Sequence, residues 1–204
     1  MNDFERSLRE AVRSLPAQPP AAAGRALAER AAADGLLDVA YASVDSPLGP
    51  LVVATSPRGL VRVAYTEPGS RDEVLEDLAT RVSPRVLEAP ARLEEPRREL
   101  DEYFAGRRME FDLPIDWSVL RGFTLKVLRE TARIDFGELR SYADVAYAAG
   151  SPRAVRAAGN ALGANPMPVV VPCHRVVRTG GALGGYTGGL ERKEFLLRLE
   201  GSLL

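Results

Sequence analysis

The chain changes its hydrophobic period part way along, and that change limits the architectures open to it. From Asp38 to Tyr65 the apolar residues come in short runs, DVAYASV, PLVVATS and GLVRVAY, cut apart by Ser46-Pro47-Leu48-Gly49 and Pro57-Arg58-Gly59. Runs of this length between Pro/Gly turns read as consecutive β-strands. In the third, Val61, Val63 and Tyr65 fall on one face and Arg62 on the other, as a half-buried strand requires. Beyond it, helices are expected over 70–81 and 88–105. An extended crossing follows at FDLPIDW (111–117), where Pro114 forbids a helix interior. The rest reads as mainly helical. The expected class is α/β (α+β), with a small N-terminal β-sheet domain over 38–115 and a mainly helical C-terminal domain over 116–204. Residues 1–37 form an extension: an amphipathic helix over 1–14, a linker LPAQPPAAAG (15–24) and a second short helix over 25–36, with no chemistry assigned.

The C-terminal half carries a helix-turn-helix candidate. Phe123, Val127 and Ile134, spaced by four and seven, mark one face of a helix that Gly137 breaks. Ser141 is an N-cap candidate for a helix over 142–149, with Asp144 at the capping-box position. Gly150-Ser151-Pro152 is a tight turn, and a second helix is expected over 153–163. Its sequence, RAVRAAGNALGAN, leaves its faces nearly bare, with Ala157 and Gly159 among six small residues. Such a surface suits close helix–helix packing or close approach to a nucleic-acid backbone, and Arg153 and Arg156 favour the second. Charge is also uneven: the balance is −6 over residues 1–116 and +5 over 117–204. An anionic partner should therefore meet the C-terminal half.

Apolar residues make up 46% of the chain, enough for a real core, yet no apolar run is long enough to cross a bilayer and no signal peptide is evident. A cytoplasmic location without membrane attachment is the expectation. There is one cysteine, Cys173, and one histidine, His174, side by side. One cysteine makes no internal disulfide, and this pair falls short of a zinc ligand set, so no metal is expected.

Val169, Val170 and Val171 read as a buried strand that Pro172 ends, placing Cys173 where the chain leaves the core. A lone buried cysteine is ordinarily inert. Here it lies beside the chain's one imidazole, a base able to promote thiolate formation. Neighbours on an extended segment point to opposite sides, so a bridging water is the natural relay between the two. Glu200 follows Leu197 and Leu196 by three and four residues and shares their inward face; it reads either as the partner of His174 or as a solvated glutamate near the chain end.

The ordered series FGELRSYADVA, RAVRAAGNALGANP, VPCHRVV and GYTGGLERKEFLLRLEG resembles the O6-alkylguanine-DNA alkyltransferase (methylated-DNA–protein-cysteine methyltransferase) family. The resemblance covers about Asp38 to Gly201 and is looser in the strand domain. It implies a ribonuclease H-like N-terminal domain and a winged-helix, helix-turn-helix C-terminal domain. The implied partner is double-stranded DNA containing alkylated guanine, with O4-alkylthymine as a second candidate substrate. The base is swung out of the duplex and its alkyl group moves irreversibly to the protein, with one turnover, no cofactor and a monomeric protein. Carried over by position, Cys173 is the acceptor, His174 the base acting through water, Glu200 its orienting partner and Asn165 a brace for the turn. Tyr142 crowds the target phosphate and protonates the leaving guanine, and Arg156 fills the gap in the stack. The carbonyls of Cys173 and Val176 accept from the guanine amino group. Tyr186 and Thr187 wall the site near O6, while Pro168 and Leu162 line the pocket. Leu125 and Leu128 occupy the helix region where the family usually has Gln and Trp. This difference should affect packing only.

Three other readings share parts of this pattern. A relative that binds alkylated DNA without repairing it would lack the acceptor cysteine. A cysteine hydrolase would normally have its base far from the nucleophile in sequence. A helix-turn-helix regulator would tolerate Cys173→Ser.

Overall fold

The computed structural model describes residues 37–67 and 70–203, with Gly24, Arg30, Ala31 and Gly35. The linker and most of both helices expected before residue 37 lie outside the described residues. Three strands fall where the Pro/Gly punctuation puts them: β1 (Val39–Val44), β2 (Leu51–Ser56) and β3 (Gly59–Tyr65). Helix α1 (Arg71–Arg81) follows, and then β4 (Val86–Glu88), which the sequence reading missed. The sheet order is β3-β2-β1-β4, antiparallel except for the parallel β1/β4 pair.

The helix expected over 88–105 is shorter. A 3-10 turn spans Pro90–Leu93, and helix α2 occupies Glu94–Phe104. Strand β3 is not the half-buried ribbon its alternation suggested. The β2/β3 ladder slips between Ala54 and Thr55, leaving Val61 outside the pairing. Val61 therefore joins Ala64 in a small cluster with Val74 and Leu78 of α1, while Leu60 and Val63 enter the main core on the other face. Both faces of the sheet are covered, and Arg62 finds Asp77 at 3.2 Å.

The segment 111–117 lies along β3, with Leu60 N–H donating to Pro114 O (2.7 Å) and Asp116 N–H to Leu60 O (3.0 Å). Gly59 permits this approach: it has φ +130°, and a Cβ there would sit 2.2 Å from Pro114 O.

The C-terminal part shares the main buried cluster with one face of the sheet. Helix α3 (Gly122–Thr131) ends before Ile134, which is buried in the loop beyond it rather than on the helix. Strand β5 (Arg140–Ser141) leads into α4 (Tyr142–Ala148), where Ser141 and Asp144 form both halves of a capping box. A turn joins α4 to α5 (Val155–Gly163); Arg153 lies in that turn, before the helix, and is exposed. These two helices are the helix-turn-helix. The chain then makes a 3-10 turn at Cys173–Arg175, pairs β6 (Val176–Val177) parallel to β5, and ends in α6 (Leu190–Leu199). One buried cluster runs through both halves, from Leu51, Leu60, Leu93 and Leu100 to Val127, Val145, Ala158, Met167, Val171 and Leu196. Among the described residues no helix is long and apolar enough to cross a membrane.

Candidate active site

The three valines before the cysteine are buried, but they are not a strand. Pro166, Pro168 and Pro172 remove N–H donors that a ladder would need. The segment instead folds into a tight turn, with Val171 N–H donating to Met167 O at 2.8 Å and Val169 held at φ +76°. A β-branched residue in that region is strained, and such strain persists only where surrounding contacts enforce it. Asn165 supplies those contacts. Its Oδ1 accepts from Met167 N–H (3.0 Å), and its Nδ2 donates to Val171 O (2.8 Å) and to the Cys173 sulfur (3.1 Å).

Cys173 thus opens a 3-10 turn at the floor of a cavity of about 780 Å3. Helix α5 forms one wall through Arg156, Gly159, Asn160, Leu162 and Gly163; Tyr142, Tyr186 and Thr187 close other sides. One face of the bare helix is packed and another is open to solvent. Ala158 and Ala161 pack inward, while Arg156, Ala157 and Gly163 stay exposed. A Cβ at Gly159 would lie 3.8 Å from the Tyr142 ring. Pro168 is not among the residues lining this cavity. It borders a separate space of about 420 Å3 with Tyr65, Asn165 and Arg192.

Cys173 is 5% exposed, and burial pushes the thiol pKa up to about 11 against the opposing pull of Asn165 and Lys193. His174 is fully buried and turned away from the cavity. Its Nε2 meets Glu200 Oε1 at 2.9 Å, while Nδ1 has no protein partner among the described residues. Burial lowers its pKa, opposed by Glu200, so the ring is neutral, with the proton on Nε2 facing the carboxylate. Glu200 follows α6 and is inside, not solvated. Burial would raise its pKa, but hydrogen bonds from His174 and Arg175 outweigh that and hold it at about 2.

Several members of this network escaped the sequence reading. Arg175 grips both Glu200 oxygens, at 2.9 and 2.8 Å, and donates to Ile134 O. The hydroxyl of Tyr103, on α2, donates to Glu200 Oε1 at 2.6 Å. Lys193 is fully buried, with its pKa lowered by burial to about 8; Nζ donates to Val176 O at 2.6 Å and to Leu183 O. The period that places Glu200 inward places Lys193 there too, one turn before Leu196 and Leu197. Both carbonyls expected to read a guanine are already engaged: Cys173 O by Val176 N–H and Val176 O by Lys193. Each retains its second lone pair.

Residues 39–117 match the model of the 6-O-methylguanine DNA methyltransferase ribonuclease-like domain, and residues 122–202 that of the same family's DNA-binding domain. The constitutive methylated-DNA–protein-cysteine methyltransferase of Bacillus subtilis is 39% identical over 163 residues, 78% of this chain and 94% of that protein. The Mycolicibacterium paratuberculosis enzyme of the same name is 42% identical over 173 residues, covering 79% and 92%. Among solved structures, Mycobacterium tuberculosis OGT in complex with DNA superimposes with a TM-score of 0.67 at 38% identity, covering 80% of this chain and 93% of that one. Two matched domains in this order, with near full-length relatives, leave one assignment: the chain belongs to the methylated-DNA–protein-cysteine methyltransferase family.

Proposed function

We propose that this protein repairs DNA directly, taking the alkyl group from O6 of a guanine onto the sulfur of Cys173 in a single irreversible turnover. The observation that carries the reading is the position of the thiol: the chain's one cysteine forms the floor of a cavity beneath the helix-turn-helix, backed by a histidine–carboxylate pair. A base inside a duplex is out of reach of such a floor, so the nucleotide must be swung out, at a cost of a few kcal/mol. Arg156, exposed on α5 and lining the cavity, fills the gap it leaves.

In the reaction the sulfur attacks the alkyl carbon, the carbon–O6 bond breaks, and its electron pair stays on the guanine. The thiol proton passes through a water to His174 Nδ1, whose other nitrogen is fixed by Glu200. Tyr142, at the cavity wall, gives the departing guanine a proton. The carbonyls of Cys173 and Val176 accept from the guanine amino group through their remaining lone pairs. The product is a thioether with no route back to a thiol, so each molecule acts once, as a cytoplasmic monomer and without a cofactor.

The test is intact-mass measurement after incubation with a duplex carrying O6-methylguanine. One methyl group gained, mapped to Cys173 and absent in Cys173→Ser, supports repair. Tight binding without mass gain would establish a non-repairing reader of alkylated DNA instead.

A further inference from the structure

The segment from Arg178 to Gly189 forms the outer wall of the cavity and contains six glycines. A segment so poor in side chains has little stiffness of its own, so its shape depends on the ties that hold it. On one side Thr187 Oγ1 donates to Gly163 O at 2.8 Å, and Tyr142 reaches Gly185 O at 3.3 Å. On the other side the tie comes from the sheet domain. Tyr65, the last residue of β3, meets the Tyr186 hydroxyl at 2.8 Å, with the rings edge-on at 6.3 Å.

Arg192 locks that contact. Its guanidinium lies 4.6 Å from the centre of the Tyr65 ring and donates to Leu48 O (2.9 Å), Gly188 O (3.0 Å) and Glu67 Oε1 (2.7 Å). One side chain on α6 thereby joins the β1–β2 turn, the segment after β3 and the glycine-rich wall. Both tyrosine rings rest against Gly188, where a Cβ would lie 2.6 Å from Tyr65 and 2.9 Å from Tyr186. The Tyr186 ring, edge-on to His174 at 6.4 Å, is the bulkiest side chain on this wall.

We infer that Tyr65, clamped by Arg192, fixes the position of the Tyr186 wall and so limits the size of alkyl group that reaches Cys173. Tyr65 touches neither the sulfur's cavity nor the reacting atoms; it is a positioning residue, and its role rests on the repair reading above. Removing its hydroxyl leaves the Tyr186 hydroxyl without this partner and lets the wall move away from the sulfur.

The test compares wild type, Tyr65→Phe and Arg192→Met in single-turnover reactions with duplexes carrying O6-methylguanine or O6-benzylguanine. Hydrogen–deuterium exchange of residues 183–189 is followed in parallel, since it needs no chemistry. Loss of one net hydrogen bond predicts a rise of about fivefold in both the benzyl-to-methyl rate ratio and the exchange rate of Tyr65→Phe. Arg192→Met should move both the same way. An active wild type with an unmoved ratio in both variants overturns the role of Tyr65 and leaves repair standing. A wild type that gains no mass on either duplex overturns repair itself and the size role with it.

Discussion

Replacing Glu200 with glutamine tests the buried network most directly. The carboxylate accepts from His174, Arg175 and Tyr103, and none of its side chain is exposed. Its pKa falls from an ordinary 4.5 to about 2 in the folded chain. Each tenfold change in proton affinity is worth about 1.4 kcal/mol, so the ionised group contributes on the order of 3 kcal/mol to folding at neutral pH. Removing one partner of a buried ion pair gives a similar figure, about 3–5 kcal/mol, because Arg175 is left as an uncompensated buried cation. The two routes describe one interaction and do not add. A depressed folded pKa contributes stability that is complete above the unfolded value of 4.5 and is lost as pH falls toward 2. Glu200→Gln should therefore lose about 3 kcal/mol at pH 7, and its deficit should shrink between pH 5 and pH 2 as the wild-type carboxyl takes up its proton. Urea unfolding at pH 7, 5 and 3, followed by circular dichroism and by the fluorescence of Trp117, the chain's one tryptophan, measures the gap. A deficit under about 1 kcal/mol at pH 7, or one that does not change with acid, would refute the reasoning.

Three further outcomes are expected. Carbamidomethylation of Cys173 by iodoacetamide should be slow at neutral pH and rise with pH toward the thiol's pKa of about 11; Asn165→Ala, which removes a hydrogen bond that lowers that pKa, should be slower still at each pH, read by intact mass. Arg156→Ala should slow alkyl transfer from duplex DNA by about tenfold or more while leaving transfer from the free alkylated base nearly unchanged, because only the duplex needs its gap filled. Ser141→Ala removes half of the capping box on α4 and should cost about 1 kcal/mol, a fall of about 2–4 °C in Tm by calorimetry.

Where a local rule decided the structure, the sequence was legible. Pro/Gly punctuation marked β1 to β3, and Ser141 with Asp144 marked the start of α4, because turn and cap chemistry act over a few residues. Helical spacing brought Glu200 inward beside His174. Tertiary contacts decided the rest. Strand β4 is three residues long and exists through its pairing with β1. Val61 changes face because the ladder slips beside it, which alternation cannot register. The valine run has high strand propensity, yet its flanking prolines and the Asn165 side chain convert it to a turn. Arg175, Tyr103 and Tyr65 were missed because no cap, turn or helical period points from them to their distant partners Glu200 and Tyr186.

The protonation states bear on how a single-use nucleophile survives until its substrate arrives. A thiol with a pKa near 11 is almost wholly protonated at neutral pH, so the free site holds a neutral sulfur, a neutral imidazole and an ionised carboxylate. A preformed thiolate would react with any small electrophile entering the cavity, and each such event would consume the molecule. Burial suppresses that loss. In the proposed reaction, reactivity is generated in the bound complex, where the sulfur loses its proton to His174 Nδ1 as the alkyl carbon comes within reach. Glu200, anionic and held by Arg175, then faces an imidazolium instead of a neutral ring and stabilises the charge as it forms. On this account the low pKa of Glu200 and the high pKa of Cys173 are two parts of one arrangement, the first preparing the relay to accept a proton and the second withholding that proton until a base has been swung in.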